Sequence, residues 1–112
     1  MKIAVPVTDG KLCSHFGHCE SFTFFDVAED TRQVAGTTTL KAPEHVPGLL
    51  PKWIQEQGAA IVLAGGMGAR ARALLEQAGI RVITGVESAP AAEVVNSYLN
   101  NDLKTGSNVC DH

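Results

Sequence analysis

Between Cys13 and Cys19 the sequence reads Cys13-Ser14-His15-Phe16-Gly17-His18-Cys19, two thiols and two imidazoles within seven residues. Thiolate and imidazole are soft or borderline donors, a set that suits iron, zinc or copper better than magnesium. Cys13, His15, His18 and Cys19 are therefore candidate metal ligands, and His45 adds a further imidazole downstream. The spacing is not that of a zinc knuckle, and the same residues suit a redox-active dithiol. Taken singly, each has a plainer reading as a small half-buried cysteine or a solvated histidine. Their density is what points to a metal.

A second feature is Gly65-Gly66-Met67-Gly68, set between an apolar run and a helical pattern. Glycines there permit positive φ and close approach of a ligand to backbone N–H groups, and a helix start favours an anion. Arg70 and Arg72 add positive charge near the first turn. The plain alternative is a tight β-to-α turn. The run lacks the Lys-Ser/Thr of a P-loop and the full dinucleotide fingerprint, so a nucleotide is not its ligand. The chain ends on another thiol and imidazole, Cys110 and His112.

The elements that must position these residues follow from hydropathy patterning. Residues 2–7 form an apolar run expected of a strand buried on both faces, 21–27 carry Phe22, Phe24 and Phe25, and 33–40 carry a Thr run; these are three strands in a meander. A short helix then starts at Pro47-Gly48 and ends at Gly58. Strand 59–64, helix 69–78, strand 80–84 and helix 89–101 follow, the last with Ser88 as N-cap and Pro90 in its first turn. The order is βββαβαβα. Right-handed crossovers make it a five-stranded mixed sheet with helices on its faces.

Strand directions place the loops 8–20, 41–47, 65–68 and 85–88 on one edge of the sheet, where open α/β sheets carry ligand sites. A last helix of thirteen residues descends from that edge. The tail 104–112 is then expected to begin on the opposite edge, about 20 Å away. It would have to run nearly extended to return. We expect one domain over residues 1–103 and a flexible C-terminal tail over 104–112.

Composition narrows the function classes. A chain of 112 residues, 45% hydrophobic and 19% charged, is one globular domain. A net charge of −3 with no basic run argues against a nucleic-acid or acidic-membrane partner. No apolar stretch reaches membrane-spanning length and the N-terminal one is too short for a signal core, which makes the cytoplasm the default location. Three cysteines, Cys13, Cys19 and Cys110, cannot all pair within one chain, so free thiols or metal ligands are expected.

With the strand pattern, Ser14-His15-Phe16-Gly17 and Ala64-Gly65-Gly66-Met67-Gly68 together, the chain resembles the dinitrogenase iron-molybdenum cofactor biosynthesis family over nearly all of residues 1–103. That family includes small cofactor carriers, the C-terminal domain of the cofactor-core synthase, and proteins that bind molybdenum-copper sulfide clusters. The resemblance implies an α/β, ribonuclease-H-like three-layer fold and binding rather than catalysis. It also implies a metal-sulfur cluster (Fe-Mo-S or related) as cofactor, and a metallocofactor assembly or acceptor protein as partner. Carried over by position, the cofactor-binding residues are His15, Phe16, Gly17, His45, Gly65, Gly66, Met67 and Gly68. Many relatives have a basic residue where His18 stands, and the Cys13/Cys19 pair is not a general family feature.

Besides cluster carriage, two other classes fit some of the residues. A thiol- or metal-dependent sensor would work through Cys13 and Cys19 at a protein interface. A two-magnesium nuclease would use Asp9 and Asp26, with Glu44 and Glu87 as poor substitutes for the missing carboxylates. A homo-oligomer is left open.

Overall fold

The structure is a computed structural model and describes residues 1–44 and 48–106. Its strands are β1 (Lys2–Thr8), β2 (Lys11–Leu12), β3 (Ser21–Ala28), β4 (Gln33–Lys41), β5 (Ile61–Leu63) and β6 (Arg81–Ile83), and its helices are α1 (Leu49–Glu56), α2 (Ala69–Gln77) and α3 (Ala91–Leu99). The main sheet runs β4-β3-β1-β5-β6. Neighbours are antiparallel from β4 to β1 and parallel from β1 to β6. This is the mixed, three-layer α/β arrangement expected from the sequence.

Strand β1 is buried on both faces because each face meets a different helical layer. Ile3, Val5 and Val7 join Phe25, Val27, Ile61 and Leu63 against Val94, Val95 and Leu99 of α3. Ala4, Phe22, Phe24, Val62, Ala64 and Val82 join Ile54 of α1 and Leu75 of α2 on the other side. The period-2 alternation of strand side chains thus feeds two cores. Trp53 of α1 lies edge-on to Phe22 and Phe24, at 5.6 and 5.7 Å between ring centroids.

Three expectations are corrected. Residues 8–20 are not one open loop: Asp9 and Gly10, with φ of 56° and 79°, form a two-residue turn that folds β2 back on β1. Positive φ at both positions is what a primed hairpin turn requires, and Asp-Gly supplies it. Ser88 is not the N-cap of α3; its hydroxyl donates to the Leu12 carbonyl at 2.8 Å, and Pro90 occupies the cap position.

The third correction concerns the C-terminal segment. Helix α3 ends beside Arg32, whose Nε and Nη2 donate to the Leu99 carbonyl at 3.2 and 3.0 Å. Asn101 then adopts a left-handed conformation, φ 61°, and reverses the chain. Thr105 bridges Val86 in antiparallel fashion and the Gly106 N–H donates to the Gly85 carbonyl at 2.6 Å. The segment has returned to the edge from which α3 left. The helix is nine residues long, about 13 Å at 1.5 Å per residue rather than the expected 20 Å. Residues 102–106 cover that distance easily when extended. Thr105 and Gly106 are accordingly paired with the backbone of Gly85 and Val86.

Candidate functional site

The hairpin turn and β2 aim the Cys13–Cys19 segment across the carboxyl edge of the sheet. There it lies alongside the turn after β5: the Gly66 N–H donates to the Ser14 carbonyl at 2.8 Å and the Phe16 N–H to the Gly66 carbonyl at 2.9 Å. Phe16, 3% exposed, drops into the core against Phe22 at 5.6 Å between centroids. This anchor fixes a single 3-10 turn over Phe16–His18. His15 and His18 stand exposed on either end of it, rings edge-on at 6.3 Å, and the His18 N–H donates to the His15 carbonyl at 3.0 Å.

The two thiols hold the same turn from outside. Cys13 Sγ donates to the His15 carbonyl and Cys19 Sγ to the Phe16 carbonyl, each at 3.3 Å. Burial pushes the Cys19 thiol up to about 12, and the neighbouring Cys13 adds to the rise while a backbone hydrogen bond opposes it. Cys19 is therefore a neutral thiol near pH 7. We expect iodoacetamide at pH 8 to label it at least about tenfold more slowly in the folded chain than in the unfolded one. Its rate should keep climbing beyond pH 10. Peptide mass spectrometry after a timed pulse measures this, and equal labelling of folded and unfolded chain would refute it.

The Gly65–Gly68 turn is packed as well as permissive. A Cβ on Gly65 would sit 3.2 Å from both Cα and the carbonyl oxygen of Ser14. The Gly65 carbonyl accepts the Gly85 N–H at 2.7 Å, and Met67 is 1% exposed in the core. Gly68, by contrast, is exposed and begins α2 with no side-chain cap. In the first turns of α2, Arg72 reaches Glu76 at 3.8 Å, while Arg70 leans on a cavity.

That cavity, of about 650 Å³, lies between the Phe16–Glu20 stretch, the segment after β4, α1 and α2. Its floor is apolar, from Phe16, Leu50, Pro51 and Leu74, and its rim carries His18, Cys19, Lys41 and Arg70 with Glu20 and Glu44. Among the expected site residues, Phe16, Gly17, His18 and Cys19 line it. Cys13, His15 and Gly65–Gly68 do not, although they adjoin it through the laced loops. His45 lies outside the described residues, as do Cys110 and His112; Glu44 and Gly48, on either side of His45, both line the cavity. Sequence reasoning missed Lys41, whose signal was its place at the start of the 41–47 loop.

Among the described residues no group of three or more His, Cys, Asp or Glu is close enough together to hold a metal ion. The cavity offers two cations, an imidazole and a thiol beside two carboxylates over an apolar floor, rather than a closed ligand cage for a bare ion. The nuclease carboxylates do not meet. Asp26 pairs opposite Lys2 at the start of β1, whereas Asp9 follows its end at Thr8. Among the described residues no helix is long and apolar enough to cross a membrane.

Comparison with known proteins agrees with this architecture. A family model described as dinitrogenase iron-molybdenum cofactor matches residues 1–101. The crystal structure of a protein named PH0822 is similar at 32% identity and a TM-score of 0.86, covering 95% of this chain and 96% of that one. A Methanocaldococcus jannaschii protein provisionally described as a dinitrogenase shares the fold at 15% identity and TM-score 0.76, covering 96% of each chain. The apo form of the orange protein from Desulfovibrio gigas shares it at 23% identity and TM-score 0.71, over 96% of this chain and 93% of that one. No curated protein matches the sequence.

Proposed function

The chain belongs to the dinitrogenase iron-molybdenum cofactor family, and from that premise we propose that it binds, protects and hands on an anionic metal-sulfur cluster during metallocofactor assembly. The cargo is an iron-molybdenum cofactor precursor or a related molybdenum, iron or copper sulfide, received from or passed to an assembly or acceptor protein. The role is carriage, not turnover.

The observation that carries this reading is the composition of the large cavity's rim. Lys41 and Arg70 supply positive charge and N–H donors to an anion, and His18 and Cys19 supply soft donors beside them, with Glu20 and Glu44 on the same rim. Cluster sulfides accept hydrogen bonds from ammonium, guanidinium and imidazole N–H groups, while exposed metal corners take imidazole nitrogen or thiolate. The apolar floor of Phe16, Leu50 and Leu74 keeps water from the cluster face. His15, at the near end of the turn, and Gly68 at the uncapped start of α2 extend the same surface.

A thiol sensor working through Cys13 and Cys19 is less well supported. A sensor thiol is activated by a lowered pKa, whereas burial raises that of Cys19.

Anaerobic reconstitution tests the proposal. The chain is mixed with ferrous iron, sulfide and tetrathiomolybdate, desalted, and read by visible spectroscopy and metal analysis. Wild type is expected to retain a coloured cluster. Arg70→Glu, which puts a carboxylate on the rim, and His18→Ala should each retain several-fold less while keeping the wild-type fold, since exposed substitutions cost little stability. A wild-type chain that retains no cluster sinks the carrier reading.

A further inference from the structure

Helices α2 and α3 leave adjacent strands for opposite faces of the sheet. α2 follows β5 and packs Leu75 into one core, whereas α3 follows β6 and packs Val94, Val95 and Leu99 into the other. The loops after β5 and β6 therefore part at the carboxyl edge, and an open α/β sheet carries its ligand crevice where neighbouring connections diverge in this way. A second cavity, of about 360 Å³, lies there, a volume within the range of small-molecule sites. It is lined by Gly65 from the first of these loops, Gly85–Ser88 from the second, Ser14 from the cysteine-bearing loop and Lys104–Gly106 from the returning segment.

The polar chemistry of this lining is divided between two segments. Thr105 bridges Val86 in antiparallel register, which sets Lys104 alongside Glu87. Both residues line the cavity, yet among the described residues no ion pair joins them. The Ser88 hydroxyl commits its proton to the Leu12 carbonyl at 2.8 Å, so toward a ligand its oxygen can only accept. The segment after β6 thus offers acceptors, the Glu87 carboxylate and the Ser88 oxygen. The returning segment offers donors, the Lys104 ammonium and the Thr105 hydroxyl. A bare anion would be repelled by Glu87 and a bare cation by Lys104. A molecule carrying both charges on neighbouring carbons satisfies both sides.

We propose that this cavity binds a small zwitterion of the α-amino-acid class, its ammonium held by Glu87 and Ser88 and its carboxylate by Lys104 and Thr105. The contacts are charge-assisted hydrogen bonds, about twice as strong as neutral ones. No covalent step is involved. No residue lines both this cavity and the larger one. The site is therefore separate and does not rest on cluster carriage.

The test is a titration of the full-length, isotope-labelled chain with glycine, L-serine, L-glutamate and L-arginine, read by amide NMR shifts. At least one of them is expected to saturate, with the largest shifts at Gly65, Gly85, Val86, Thr105 and Gly106. Ethanolamine and acetate each keep one of the two charges. They should bind at least about tenfold more weakly, the loss expected when a hydrogen bond to a charged group goes. Lys104→Met and Glu87→Gln should each weaken amino-acid binding by a similar factor. Lys52→Met, on α1 and outside both cavities, should leave it unchanged. All three side chains are exposed, so the variants should stay folded, and the dispersion of the amide spectrum checks that they do. Binding by none of the four amino acids, shifts confined to other residues, equal binding of acetate or ethanolamine, or unchanged affinity in Lys104→Met and Glu87→Gln overturns the site. None of these variants removes Lys41, Arg70 or His18, so cluster retention by the same proteins reports on the carrier reading independently.

Discussion

Phe16→Ala is expected to lower the free energy of unfolding by about 3–4 kcal/mol, the range for truncating a buried aromatic, and to abolish cluster retention in the molecules that remain folded. The ring is 3% exposed and meets Phe22 edge-on. Its loss removes apolar area and leaves a void that the sheet, fixed on both faces, cannot close. The same ring is the only deeply buried side chain of the Phe16–His18 turn, so the turn loses its register over the cavity. Urea denaturation reads the first effect as a lower midpoint at unchanged slope. His15→Ala provides the contrast. That ring is exposed, so stability should stay within about 0.5 kcal/mol, with the effect confined to binding. A Phe16→Ala protein as stable as wild type would show that the ring does not anchor the turn.

Gly85→Ala is the second large effect. Gly85 has φ of 78°, a conformation that costs a residue with a Cβ about 1–2 kcal/mol. The added Cβ would also collide with the backbone of Gly106, which leaves the returning segment nowhere to sit. Gly79→Ala is the matched control: its φ is 83°, yet nothing lies within 4 Å of the added carbon. Both variants should lose the conformational increment. Gly85→Ala alone should also free residues 102–106, seen as faster amide exchange at Thr105 and Gly106. Equal effects of the two variants would mean that the returning segment contributes nothing to stability.

The candidate site was legible to different degrees at different residues. His18 and Cys19 were named from donor density, and both line the cavity. Lys41 was passed over because a single lysine at a strand end carries no pattern; only the cavity that both residues line makes it the counterpart of Arg70. Gly65 was read as an invitation to a ligand. Its closer constraint is the backbone of Ser14, fifty-one positions away in the chain, a contact that composition cannot reveal. The Asp9-Gly10 hairpin, in contrast, was written plainly in the sequence and was hidden only by reading 8–20 as one loop.

The order of elements along the chain and the strand directions were determined by the sequence itself, because buried runs, turn residues and the handedness of crossovers are local or nearly local and leave few topologies. They were enough to bring the first loop, the segment after β4 and the start of α2 to one edge. What only the tertiary structure decided is how those loops are laced together and where residues 102–106 run. A left-handed dihedral at Asn101 and a helix four residues shorter than expected turn the C-terminal segment back to the edge it had left. Small local differences of this kind move a segment by the full height of the sheet, since each residue adds 1.5 Å in a helix but about 3.3 Å when extended.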